Sequence, residues 1–158
     1  MLDKMNEYMG KQWLSLLGLL LGLQAFAANT INPDKVYDSS IKTIRVHPMG
    51  NALAIPVISL SQMNPLEISF DDLKAKYQNY FYSVELMNAD WRSANLSVFD
   101  YLQGFNQNRI TQYSISSIAI QPYYHYKFTF PNTNCRPTKS GNYIIKVYKD
   151  SNPQKVIF

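Results

Sequence analysis

Beyond about residue 40 the chain alternates apolar and polar residues with a period of two, the signature of strands that bury one face. In "LEISF" the alternation turns Leu66, Ile68 and Phe70 inward and Glu67 and Ser69 outward. Tyr80, Tyr82, Val84 and Leu86 make one face of a longer strand. Tyr113 and Ile115 alternate with Ser114 and Ser116, and Tyr124, Tyr126, Phe128 and Phe130 alternate with His125, Lys127 and Thr129. Each of these is predicted to have one buried face. "IKTIRVH" supplies a first strand with Ile44 and Val46 on one side, "YIIKVYK" a late one, and "KVIF" the start of a last one, either at an edge or inside something longer. "ALAIPVISL" is apolar on both faces, with Pro56 placing it at an edge or a bulge. Seven or eight short strands, separated by turn-forming segments such as "PMGN", "RPTKSGN" and "DSNPQ", predict an all-β antiparallel sandwich of the immunoglobulin or fibronectin-III type.

One stretch breaks the alternation: "ELMNADWRSANLSVFDYLQGFNQNRI". Here Val98, Tyr101 and Leu102 recur at three- and four-residue spacing, which predicts a short helix near residues 97–103. Ser97 and Asp100 stand at the spacing of an N-cap and its reciprocal partner, and Gly104 where a left-handed C-cap belongs. The helix is expected to lie across one end of the sandwich, with Phe105 packed beneath it or anchoring a partner. Asp90 reads as a turn residue that closes the preceding strand.

The N-terminus has a different pattern. Lys11 precedes an apolar run from Trp13 to Leu23, and Ala25-Phe26-Ala27 forms a small-x-small cleavage signal, so residues 1–27 are expected to be a signal peptide. A bilayer core of about 30 Å takes roughly 20 apolar residues, more than this run offers. A start at Met9 would give a cleaner signal than one at Met1, because it drops Asp3 and Glu7. Cleavage leaves a single domain of about 130 residues, enough to bury a core.

Composition then narrows the chemistry. The net charge is +4, unchanged by removing residues 1–27, and the remaining Lys and Arg are scattered from Lys35 to Lys155 without a run. Nucleic-acid binding is not expected, since it calls for a clustered basic stripe. Cys135 is the only cysteine, so no intrachain disulfide forms, and it is expected to be a small half-buried residue. His47 and His125 are the only histidines, and no two metal-ligand types share a tight spacing, so neither a metal nor another cofactor is expected. There is no Gly-rich phosphate loop, G-x-S-x-G elbow or H-E-x-x-H, and the reading is of a protein that is not an enzyme. All twelve tyrosines except Tyr8 lie beyond the leader, where they suit sheet faces and interfaces alike. Tyr124 and Tyr126 read as packing residues, whereas Tyr123, on the opposite parity, is the surface candidate.

Six collinear blocks carry a resemblance: "VYDSSIKTIRVHPMGN", "SFDDL", "YFYSVELMNADWRSANLSVFDYLQGFN", "ITQYSIS", "QPYYHYKFTFPN" and "TKSGNYIIKVYKD". Together they resemble the N-terminal domain of the type IX secretion system plug proteins of Bacteroidota, from about Val36 to the end. The resemblance implies a non-enzymatic, exported protein at the periplasmic side of the outer membrane. It further implies a partner, the outer-membrane translocon barrel protein, whose periplasmic opening the plug closes when no substrate occupies it. No small-molecule substrate is implied. The resemblance further implies that the family continues through a longer C-terminal region, which is expected to be absent from this chain. The residues that match its pattern are Asp90, Trp91, Leu96, Tyr101, Leu102, Gly104, Phe105, Pro131, Ser140, Gly141 and Tyr143. Most of them have evident structural uses. The partner-binding candidates are Trp91, Tyr101, Phe105 and Tyr123.

Two other readings are testable against a structure. A glycan-binding module would present the rings of Trp91, Tyr101 and Tyr123 to a sugar. A glycosidase would need the carboxylates of Asp90 and Asp100 in one cleft at about 5 to 10 Å, and fails if Asp100 caps its own helix.

Overall fold

A computed structural model describes residues 34–158 except 63, 117 and 119. The expected signal peptide lies outside the described residues. Nine strands and one short helix follow in the order β1 (Ile41–Pro48), β2 (Leu66–Asp72), β3 (Tyr80–Met87), α1 (Val98–Tyr101), β4 (Leu102–Gly104), β5 (Asn108–Arg109), β6 (Gln112–Ser116), β7 (Tyr123–Phe130), β8 (Cys135–Pro137) and β9 (Asn142–Lys149). They form a four-stranded sheet β1-β2-β7-β6, a three-stranded sheet β5-β3-β9 and a two-stranded ribbon β4-β8. All the pairings are antiparallel.

The predicted alternation fills the space between the two larger sheets. Ile68 and Phe70 of β2, Tyr80, Tyr82 and Val84 of β3, Tyr126 and Phe130 of β7, and Val147 of β9 are buried in one core. Aromatic contacts join the sheets: Tyr82 stacks on Phe128 with ring centroids 4.3 Å apart, and Tyr80 meets Phe70 and Tyr126 edge-on at 5.3 and 4.9 Å. Such pairs add roughly 0.5–1.5 kcal/mol each beyond the area they bury. The buried hydroxyls keep partners, as Tyr80 donates to the Asp72 carboxylate at 2.8 Å and Tyr82 accepts from the Asn132 amide at 2.7 Å.

The strand order is that of an immunoglobulin sandwich, in which strands one, two, five and four share a sheet and strands three, six and seven form the other. Here β1, β2, β7 and β6 play the first set, and β3, β9 and the C-terminal segment the second. That segment runs beside β9, where Ile157 N–H donates to the Val147 carbonyl at 2.8 Å and Val147 N–H to the Phe158 carbonyl at 2.9 Å. A corner typical of the fold is also present. Tyr143, near the start of β9, donates its hydroxyl to the Lys139 carbonyl at 2.7 Å, four residues upstream.

Four expectations are corrected. "ALAIPVISL" forms no strand: it lies in a long loop between β1 and β2 in which Leu53, Ile55, Val57 and Leu60 are exposed and, among the described residues, only Ile58 reaches the core as a large side chain. β6 forms as predicted but buries neither face, because the opposing sheet is only three strands wide and leaves Tyr113 and Ile115 48% and 57% exposed. The helix near residues 97–103 is cut to Val98–Tyr101, because Leu102 turns extended to pair with Pro137 of β8, a strand that "RPTKSGN" concealed inside a turn. "KVIF" forms no regular strand: it has one bridge, Tyr148 to Val156, although Lys155, Ile157 and Phe158 also hydrogen-bond to the backbone of β9. Among the described residues, no helix is long and apolar enough to cross a membrane.

Candidate partner-binding site

The segment from β3 to β5 is held by short-range hydrogen bonds. The Asn88 side-chain oxygen accepts from Asp90 N–H at 3.0 Å and Arg92 N–H at 2.9 Å, and Trp91 N–H donates to the Asn88 carbonyl at 3.1 Å. This closed turn places Trp91 at φ +58 and leaves its ring 46% exposed. At the start of α1 the Asp100 carboxylate accepts from Ser97 N–H at 3.1 Å, the reciprocal half of a capping box. The Asp100 carboxylate therefore has local structural work, whereas Asp90 takes part in the turn through its backbone N–H. The glycosidase reading fails at Asp100 by its own criterion.

The four candidates separate. Trp91 and Phe105 point to solvent, Phe105 at 71% exposure, so the packing expected beneath the helix does not occur. Phe105 is fixed through its backbone, which donates to the Asn134 carbonyl at 2.7 Å. Tyr123 opens β7 opposite Ser116 and is half-buried. Tyr101 is the exception, with 3% exposure and its hydroxyl donated to the Val84 carbonyl at 3.3 Å. It has no ring face to offer, which removes the three-ring platform the glycan reading needs. Gly104 is required for a reason other than the one expected. It adopts φ +100 at the end of β4, where a Cβ would fall 2.1 Å from the Asn134 carbonyl oxygen.

Sequence reasoning missed several exposed apolar side chains. Phe99 projects from α1, Leu96 precedes it, and the loop of residues 49–65 holds no charged residue at all. At the opposite end of the four-stranded sheet, Ile118 and Ile120 in the β6–β7 connection are fully exposed. Tyr77 and Tyr113 touch, with ring centroids 5.1 Å apart, and Tyr113 continues onto Tyr124 at 5.8 Å. A row of tyrosines thus runs off the core into solvent. The signal that marks these segments is the lack of charge, since no Asp, Glu, Lys, Arg or His lies between Ile110 and Tyr124 either.

The ionisable groups serve the fold. The Asp38 carboxylate accepts from Lys74 Nζ at 2.6 Å and Lys149 Nζ at 2.9 Å; burial alone would raise its pKa, but these hydrogen bonds hold it well below the usual carboxylate range. Glu85 behaves likewise: burial raises its pKa, and the ion pair with Lys146 outweighs that and lowers it. This pair lines a cavity of about 260 Å³ beside Ser93, Leu96, Tyr101 and Asn106, smaller than a typical small-molecule site. His125 contacts Asp71 at 2.7 Å and His47 lies 3.9 Å from Glu67. Among the described residues no group of three or more His, Cys, Asp or Glu could hold a metal. Cys135 is fully buried, rather than half-buried as expected, and burial pushes its thiol up to about 11.

The first-domain model of the type 9 secretion system plug proteins matches residues 41–158, all nine strands and the helix. This chain belongs to that family. The crystal structure of a hypothetical protein from Parabacteroides merdae is similar to it, with a TM-score of 0.75 and 35% identity. That likeness covers 78% of this plug-family chain but 31% of the other, so this chain spans about a third of that relative's length. No curated protein matches it. The plug family thus supplies the context for the surface just described: a secretion-system component whose fold is a small all-β sandwich.

Proposed function

We propose that this chain is a non-enzymatic gate component of the type IX secretion system, which associates with the translocon barrel in the outer membrane and closes its periplasmic opening. The observation that carries the reading is the family match over residues 41–158. Exposed apolar side chains on an otherwise well-packed sandwich fit a protein that works by docking. The chemistry of the described residues supports a binding role, since Asp100 is committed to its helix and the Cys135 thiol is enclosed.

Two measurements test the reading. Tagged protein produced in its native host, solubilised gently from membranes, is expected to bring down the translocon barrel protein. A strain without the protein is expected to admit larger periplasm-directed dyes than wild type. A pull-down free of the barrel, or unchanged permeability of the deletion strain, counts against the reading.

A further inference from the structure

Sheet edges carry unpaired backbone N–H and C=O groups that can template another chain, so natural proteins protect them with bulges, charges, prolines or covering segments. This sandwich protects its edges unequally. At β1 the pairing shifts between Lys42 and Arg45, Thr43 sits at φ +54, and Pro48 ends the strand. β9 is covered by residues 155–158, which are covered in turn by Tyr37 and Asp38, whose N–H groups donate to the Ile157 carbonyl at 2.8 and 3.3 Å. β5 is two residues long and carries Arg109, and β4 and β8 are three residues each.

Among the described strands, β6 alone has none of these devices. It is five residues, Gln112–Ser116, paired with β7 in an unbroken register, with no proline and no charge. Among the described residues, no further hydrogen bond reaches its outer edge. Tyr113 and Ile115 stand on the face that the second sheet fails to cover, and the connection beyond adds Ile118 and Ile120. An open, uncharged edge therefore lies beside an uncovered apolar strip, and both are needed for strand addition.

Resting on the plug reading, we infer that the outer edge of β6 is the docking surface for an extended strand of the translocon, which pairs with Gln112–Ser116 and extends the sheet to β1-β2-β7-β6-partner. Charge sets the partner's character. The chain carries no charged residue from Ile110 to Tyr124, so the added strand places uncharged, apolar side chains over Tyr113 and Ile115 and small polar ones over Gln112 and Ser114. Charge also favours a partner strand over a second copy, because edge-to-edge pairing of two copies brings together two chains of net charge +4.

The test uses protein made in the native host, with p-benzoylphenylalanine in place of Tyr113 in one variant and of Phe99 in another. A crosslink from position 113, and none from position 99, to the translocon barrel protein is expected. Ile115→Lys is expected to reduce co-purified barrel by at least about tenfold, because pairing would bury an unpartnered ammonium, whereas Ile115→Val retains it. Ile115 is more than half exposed, so the Lys variant is expected to fold, and an unchanged urea midpoint verifies this. A crosslink from position 113 to a second copy or within its own chain overturns the inference, as does undiminished barrel in the Ile115→Lys pull-down. Wild-type protein that brings down no barrel overturns the plug reading itself, and the inference with it.

Discussion

Replacing Gly104 by alanine tests whether the β4–β8 ribbon depends on one missing side chain. The added Cβ would lie 2.1 Å from the Asn134 carbonyl oxygen and 2.7 Å from its carbon. Ordinary carbon–oxygen contacts begin near about 3.3 Å, so the backbone must move by roughly 1 Å. The atoms involved are main chain on both sides and cannot rotate away. A shift of that size breaks the bond from Phe105 N–H to Asn134 O, now 2.7 Å, and strains the Gly104–Cys135 pairing. A non-glycine residue at φ +100 costs about 1 kcal/mol, a lost backbone hydrogen bond about another, and the residual clash a comparable amount, for a total of about 3 kcal/mol. Domains of this kind are stable by roughly 5–15 kcal/mol, so the loss is large. Gly50→Ala is the internal control, since Gly50 has φ +81 but nothing within 4 Å of where a Cβ would stand, which leaves only the conformational cost of about 1 kcal/mol. Urea unfolding of both variants measures the difference. Equal destabilisation by the two substitutions would refute the steric argument.

Three further outcomes are expected. Asp38→Asn lowers stability at pH 7, and the gap from wild type closes on acidification. A carboxyl held below its unfolded value of about 3.9 contributes fully above that pH and loses its contribution as pH falls towards the folded value, so parallel urea midpoints from pH 7 to 2 would sink the assignment. Tyr143→Phe removes the hydroxyl that binds the Lys139 carbonyl and costs about 1 kcal/mol in the same assay, and a variant as stable as wild type would remove that corner from the account. The Cys135 thiol, buried and pushed up to about 11, resists a thiol-reactive disulfide reagent at pH 8 until urea unfolds the domain; rapid reaction of the native protein would contradict its burial.

The sandwich was legible where two signals agreed. In β2, β3 and β7 the alternation put Phe70, Tyr82 and Phe128 on inward positions, and flanking turn residues bounded the strands. It failed where the partner of a segment is remote in sequence. Leu102 fits a helix by spacing, yet it leaves the helix because Pro137, 35 positions later, offers a strand to pair with. "ALAIPVISL" is apolar enough for a buried strand, but a continuous apolar run has no period to specify a face. With Gly50 at φ +81 before it and Pro56 within it, the backbone takes irregular turns instead.

The candidate site was legible only in part, and β6 shows why. Alternation in "QYSIS" states that two side chains share a face; whether anything covers that face depends on the width of the opposite sheet. The same pattern therefore describes buried Tyr126 and exposed Tyr113, which pair across β7 and β6 with ring centroids 5.9 Å apart. What separates the two strands is the surrounding charge. β7 carries His125 and Lys127 on its solvent face, as a strand in water should, whereas β6 and its connection carry none. A strand with an uncovered apolar face and no charge to oppose edge pairing is poorly adapted to remain in water alone. Trp91 and Phe105 are also exposed, but their N–H groups are already hydrogen-bonded to the Asn88 and Asn134 carbonyls. Among the described residues, only the edge of β6 offers main-chain hydrogen-bonding groups along with an apolar surface, and this combination ranks it above the aromatic residues that first attract attention in the sequence.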